Sequence, residues 1–471
     1  MRIPLTTVVA VLTLAAATGG RGAETARARP RPNVLLIVMD TVRADHLSGY
    51  GYEKPTAPSL ERIAAEGVLY EQAISPGSWT LPSHATLFTG LYPRDHHTTA
   101  AHWKLDDSFT TLAEILAAEG YATAAFSNNP WVSHGTGLAQ GFAAFLDMWR
   151  DDQRGRGGDD GAALTNELVL DLLGSPGRTA PFFVFINYLE PHLPYAPPAS
   201  FERRFVPSSA PRALVDELRG WKTPRELAYI LRVPGYEATG DQFRILGALY
   251  DAEIAYLDSK VGELVQALDS RGLLKDTLLI VTSDHGEHLG DHHMMDHKMS
   301  VYDALIHVPL IVRYPGVVPA GVRIRGPVQT NDVFPTVLKL CGIERPRTRD
   351  ATVLPMREED VVREDTFAEF GRPTEFLKIA TRSFPGVDVA PFDRSLVAVR
   401  GPRYKYVWAT DGRSELFDLG SDPSEEHDLS AGQPEVEARL RREVFAFRDG
   451  APALGEGRRA GSSSPRRPSS R

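Results

Sequence analysis

Three short stretches carry side chains suited to holding a metal ion and an anion. Asp40 closes the apolar run VLLIVM, and Asp284-His285 closes TLLIVTS. Two carboxylates with one imidazole suit Mn or Zn, or Ca or Mg at a mixed-ligand site. Taken singly, an aspartate at a strand end is equally well explained as turn chemistry. The segment SDHGEHLGDHHMMDHK is dense in His and Asp. His285 is its expected ligand and His297 a reserve, because most histidines in such a loop are solvated or locally bonded. Lys298 follows, and a lysine directed at the site would neutralise a bound oxyanion; a solvated surface lysine is the plain alternative. In GSWTLPSHATLFTG, Pro82 reads as the first residue of a helix. Thr80 then sits at or just before a helix N-terminus, where N–H groups attract anions, although threonine is also a common cap.

These residues need elements to bring them together. The runs at 34–39, 182–188 and 277–283 are short, continuous and apolar, as expected for parallel strands covered on both faces. Helical patterns lie between them, including TLAEILAAEG before the strand-like YATAAF, and the long stretch at 250–272, which ends at Gly272. Strands alternating with helices imply a doubly wound α/β sheet. FFVFINY runs into Glu190-Pro191-His192, and YATAAF runs into Ser127-Asn128-Asn129. Ligands in such sheets bind beyond the carboxyl ends of the strands, so four strands delivering acid, imidazole and amide groups predict one polar site.

After about residue 380 the pattern changes to short alternating strands with turns at Gly401-Pro402 and Asp411-Gly412, then a helix over about 434–448. The expected organisation is an export signal over 1–23, a catalytic α/β domain over 30–380, a small α+β subdomain over 381–449 and a disordered tail over 450–471. The signal reading rests on Arg2, the uncharged run 3–17 and the small residues of 18–23; an uncleaved anchor is the alternative. The chain is therefore expected to be secreted or periplasmic, without a stable membrane span. The stretch 151–161 reads as a mobile loop, and the segment from Pro207 to Glu226 as part of a lid. With one cysteine, Cys341, no internal disulfide can form and the core must hold the fold. The net charge of -9 argues against a nucleic-acid partner.

The string TLPSHATLFTG resembles the sulfatase signature, Cys or Ser followed by x-Pro-Ser-Arg and x-x-Leu-x-Thr-Gly. PNVLLIVMDTVRAD is similar to that family's first metal-binding strand. The stretch YDAEIAYLDSKVGELVQALDSRGLLKDTLLIVTSDHGEHLGDH resembles its central helix, strand and loop, and RYKYVWATDGRSELFDLGSDPSEEHDL its C-terminal subdomain. The resemblance runs from about Pro32 to Asp449. It implies an alkaline-phosphatase-like α/β fold: a large, mostly parallel sheet flanked by helices, plus a small antiparallel sheet with a helix. It also implies roles. Asp40, Asp284 and His285 match metal ligands, and Thr80 matches the nucleophile that touches the metal. His192 matches a histidine near the leaving group, and Lys298 an oxyanion-binding lysine. His84 falls where the family has Arg, and Asn128 where it has the Lys of a Lys-x-His stretch.

The departures bear on the chemistry. Sulfatases proper convert Cys or Ser to formylglycine, and threonine cannot yield that aldehyde, so no formylglycine is expected. A formylglycine sulfate ester can collapse through its hemiacetal, whereas a threonine ester must be attacked at its central atom. Thr41 replaces the second Asp of the usual pair, which tilts the divalent metal from Ca towards Mn or Zn. The expected activity is hydrolysis of a small-molecule, glycan or lipid sulfate, phosphate or phosphonate ester. A cell-surface phosphoryl transferase and a non-catalytic anion-binding protein are the alternatives.

Overall fold

Parallel strands that are apolar throughout can only be satisfied by a sheet covered on both faces. The computed structural model describes residues 31–150, 158–175, 179–221, 225–344 and 350–450. The expected export signal, most of the 151–161 loop and the tail beyond Gly450 lie outside the described residues. The central sheet contains β1 (Asn33–Met39), β2 (Val68–Ile74), β3 (Ala122–Ser127), β4 (Ala144–Asp147), β5 (Phe182–Tyr188), β6 (Thr277–Ser283), β7 (Leu310–Arg313) and β8 (Val322–Gln329). Their order is β8-β2-β7-β6-β1-β5-β3-β4, and a short ninth strand, His307–Val308, pairs with β2. β7 runs antiparallel to β2 and β6, and the other pairings among these eight are parallel.

β1 lies between β5 and β6, with Met39 opposite both Tyr188 and Ser283. That register delivers Asp40 and Asp284 side by side at the carboxyl edge. Alternate residues of β1 enter different cores: Val34, Leu36 and Val38 on one face, Leu35, Ile37 and Met39 on the other. Helix α1 (Thr80–Thr89) packs on the first face through Leu81, Ala85 and Phe88. Helices α2 (Ala162–Gly174) and α4 (Gly240–Ser270) cover the second; α3 (Arg225–Ile230) lies between them in sequence. α4 starts at Gly240, ahead of the expected 250, because Thr239 and Gln242 form a reciprocal capping box. Among the described residues, no helix is long and apolar enough to cross a membrane.

The small sheet has the order β9 (Thr366–Phe370), β10 (Leu396–Arg400), β11 (Tyr404–Ala409), β12 (Ser414–Asp418), all antiparallel. It starts before the expected boundary at 381, since β9 precedes helix α5 (Thr374–Ser383). The closing helix α6 (Pro434–Asp449) packs Leu440, Val444 and Phe447 against Val399 and Tyr406.

Candidate active site

The strand ends bring Asp40, Asp284 and His285 together in the interior. One ligand atom from each lies within 4.8 Å of the others, and all three residues are buried. Each carboxylate spends one oxygen on its supports. Asp40 Oδ2 accepts from Asn129 Nδ2 at 2.7 Å and Asn187 Nδ2 at 3.3 Å. Asp284 Oδ1 accepts the backbone N–H of His285 at 2.9 Å and of Thr41 at 3.3 Å. Thr41 reaches that bond from a left-handed conformation, φ 57°, which a β-branched residue rarely adopts. The remaining oxygens, Asp40 Oδ1 and Asp284 Oδ2, have no hydrogen-bond partner and lie 4.0 and 3.3 Å from His285 Nε2. The opposite ring nitrogen of His285 donates to the Gly286 carbonyl at 2.9 Å, so the Nε2 lone pair faces the carboxylates.

Orphaned oxygens converging on an imidazole lone pair fit a divalent cation. The protonation energetics agree. Burial pushes Asp40 up to about 6, with Asp284 adding to the rise, and burial pushes Asp284 up to about 7. Burial also holds His285 below its ordinary value, in the neutral form a metal needs.

Thr80 completes the group. It is the first residue of α1, with Trp79 as the cap in extended conformation and Pro82 two residues inside rather than at the start. Its Oγ1 lies 3.2 Å from His285 Nε2. Ser83 Oγ donates to the chain ahead of the helix, at Gly77 O and Trp79 O, and Gly90 in a left-handed conformation ends it. His84 Nδ1 donates to Thr80 O at 2.8 Å and lies 3.5 Å from Asp284 Oδ2. The His84 ring packs edge-on against Phe185 in the core, and burial lowers it to about 3. His84 is a residue of α1 itself, bonded to the carbonyl of the helix's first residue and not part of the adjoining cavity wall.

Outside this group opens a cavity of about 270 Å³. Thr80, His192, His297 and Lys298 line its polar side, and Trp79, Trp131 and Phe376 its aromatic side. His192 donates from Nδ1 to Leu193 O at 2.7 Å, leaving Nε2 free, and its ring lies 5.0 Å from that of His297. Lys298 forms a close ion pair with Asp296, and its ammonium is 5.9 Å from the Phe376 ring. Burial opposes the charged form of Lys298, but the Asp296 carboxylate outweighs it and raises the ammonium above its ordinary value. α3 contributes Glu226 and Leu227 to the wall, at the end of the segment read as a lid.

Asn128 is not among the groups brought together. Its amide donates to Thr165 Oγ1 and to Asn187 O, both at 3.0 Å, on the α2 side of the sheet. Neighbouring residues in extended chain face opposite ways, and Asn129 is the one that reaches Asp40. The other loop histidines are also taken: His288 by Ser300 Oγ at 2.9 Å, His292 by stacking on Tyr302, and His293 on Tyr229. Sequence reasoning missed Asn129, Asn187 and the aromatic wall. Strand parity could have found Asn129, but no local pattern joins Trp79, Trp131 and Phe376.

Comparison with known proteins bears on this geometry. The sulfatase family profile matches residues 32–343, and that of the N-sulphoglucosamine sulphohydrolase C-terminal region matches 290–449. Arylsulfatase K of Homo sapiens is 26% identical over 475 residues, covering 93% of this chain and 86% of its own. The multifunctional alkaline phosphatase superfamily protein PehA of Trinickia caryophylli is 28% identical over 486 residues, covering 87% and 93%. The crystal structure of the phosphonate monoester hydrolase of Agrobacterium radiobacter superposes with a TM-score of 0.73 at 27% identity, covering 89% of this chain and 96% of that one.

Proposed function

The chain belongs to the sulfatase family, and from that premise we propose that it is a metal-dependent hydrolase of sulfate or phosphate/phosphonate esters with Thr80 as its nucleophile. The observation that carries this reading is the position of Thr80 Oγ1, 3.2 Å from His285 Nε2, where the buried donor set meets the cavity. Asp40, Asp284 and His285 would hold the metal; an imidazole ligand from His285, with Thr41 in place of a further carboxylate, would favour Mn or Zn over Ca. A divalent cation held there supplies Lewis acidity, lowering the pKa of a neighbouring hydroxyl and offsetting charge on the transferred group.

The chain's own groups account for the rest. Thr80 Oγ1, its hydroxyl proton lost to solvent, attacks the central atom in line, forming the threonine ester as the bond to the leaving oxygen breaks. Lys298 offers its ammonium to the non-bridging oxygens, and His192 in its protonated form delivers a proton to the leaving oxygen through Nε2. Water then attacks the central atom and gives a proton back to His192, the bond to Thr80 Oγ1 breaks, and Thr80 takes up a proton from solvent. Because a threonine ester is released only by attack at that atom, the reading favours phosphoryl over sulfuryl transfer. PehA and the Agrobacterium phosphonate monoester hydrolase bear names consistent with such chemistry. The N-terminal run 3–17 supports action outside the cytoplasm.

The test is hydrolysis of matched p-nitrophenyl sulfate, phosphate, phosphodiester and phosphonate esters by the metal-loaded protein, beside Thr80→Ala. The expected result is preferential cleavage of a phosphoryl or phosphonyl ester, reduced roughly a thousandfold or more in the variant. Substantial activity in Thr80→Ala would remove threonine from the mechanism.

A further inference from the structure

Beside the cavity lies a second set of ligand-type side chains that the proposed chemistry does not use. Glu287, Asp296 and His297 each bring one ligand atom within 4.8 Å of the others, and all three are buried. Glu287 is fully buried, yet neither carboxylate oxygen has a hydrogen-bond partner, and His297 Nδ1 also lacks one. Nδ1 lies 3.5 Å from Glu287 Oε1 and 2.6 Å from Asp296 Oδ1. The buried Tyr195 hydroxyl faces the Glu287 carboxylate and is the neutral group that interacts with it. Polar atoms are rarely left this way in a protein interior, because desolvation is then uncompensated. The orphaned Glu287 oxygens and His297 Nδ1 converge as the free atoms of Asp40, Asp284 and His285 do, and Asp296 adds an oxygen, Oδ1, that already accepts the His297 backbone N–H at 2.7 Å.

We propose that Glu287, Asp296 and His297 bind a second divalent cation, separate from the one held by Asp40, Asp284 and His285. Two carboxylates and an imidazole nitrogen select zinc or manganese over calcium. The Lys298 ammonium pairs with Asp296 Oδ2, while Oδ1 accepts the His297 backbone N–H at 2.7 Å and keeps its second lone pair for a cation on the His297 side. Occupancy has a consequence for the cavity. A histidine coordinated through Nδ1 keeps its proton on Nε2. The His297 ring is then presented beside His192 as a fixed hydrogen-bond donor next to Lys298, suited to an anion. The second cation organises the anion-binding side of the pocket rather than the nucleophile.

Metal counting by mass spectrometry on the folded full chain, stripped and reloaded with Zn²⁺ or Mn²⁺ and then desalted, tests this. Two equivalents are expected for the wild type, and one each for Glu287→Gln, His297→Ala and Asp40→Asn. Anomalous diffraction at the zinc edge should place the second ion against Glu287. One equivalent in the wild type, or two retained in both Glu287→Gln and His297→Ala, overturns the proposal. That failure is distinct from failure of the catalytic reading, which is decided by turnover in Thr80→Ala.

Discussion

The divided use of each carboxylate, one oxygen bonded and one free, makes the supporting amides as consequential as the ligands. Asn129 and Asn187 hold Asp40 Oδ2, so the free Oδ1 is aimed and not merely present. Partners behind a metal ligand commonly set metal affinity to within about 10–100-fold. Asn129→Ala is therefore expected to weaken divalent metal binding by about that factor in chelator competition, with the fold retained. Its neighbour should behave in the opposite sense. Asn128→Ala removes bonds to Thr165 and Asn187 O, costs roughly 1–3 kcal/mol in denaturant unfolding, and leaves metal affinity nearly unchanged. Equal effects on metal binding would mean that strand parity does not separate the two residues functionally. His84 belongs to the same class of support: with its ring against Phe185 and its Nδ1 on Thr80 O, it steadies the helix that presents Thr80.

At the scale of elements, the cavity is built from segments far apart in the chain. Trp79 ends the approach to α1, Trp131 follows β3, and Phe376 comes from α5, which follows the first strand of the small sheet. Trp79 contacts Trp131 and Phe376 edge-on, at ring distances of 5.6 and 5.8 Å. Phe376→Ala is expected to raise KM for p-nitrophenyl esters several-fold while changing kcat less, because it removes a surface that binds ground and transition state alike. A loss confined to kcat would instead assign Phe376 to positioning Lys298, whose ammonium lies near the ring. This wall also marks where sequence reasoning stops. β1, β5 and β6 were readable because strands buried on both faces must be continuously apolar, and their ends then gave Asp40, Asp284 and His285. The first strand of the small sheet, TFAEF, was not readable: it is short, and its partner β10 lies beyond α5. Motif position points to Asn128, while the side each amide faces is decided by strand direction. The orphaned atoms of Glu287 and His297 come from packing that no spacing rule encodes.

Across the whole molecule, two cores back a single sheet, and the small sheet is tied to it by buried charge. Asp303 accepts from Arg400 and Lys405, each at 2.8 Å, and Lys405 also reaches Glu425 at 2.7 Å. Those charges are mutually compensated; the carboxylates at the carboxyl edge of the large sheet are not. Burial raises Asp40 to about 6 and Asp284 to about 7, against 3.8 for an ordinary aspartate. A group whose pKa is higher in the folded state holds its proton more tightly there. Its contribution to stability is full below the unfolded value and disappears as pH rises through the folded one. The metal-free protein should therefore lose stability between about pH 4 and pH 7 and level off above that, by on the order of a few kcal/mol for the pair. A divalent cation binds the ionised carboxylates and reverses the loss. The fall in Tm caused by a chelator is thus expected to be small at pH 5 and larger at pH 8. Calorimetry with and without metal at those two pH values checks it. An equal fall at both would mean that the ionised pair carries no repulsion for a metal to relieve, and that its burial is compensated within the protein itself.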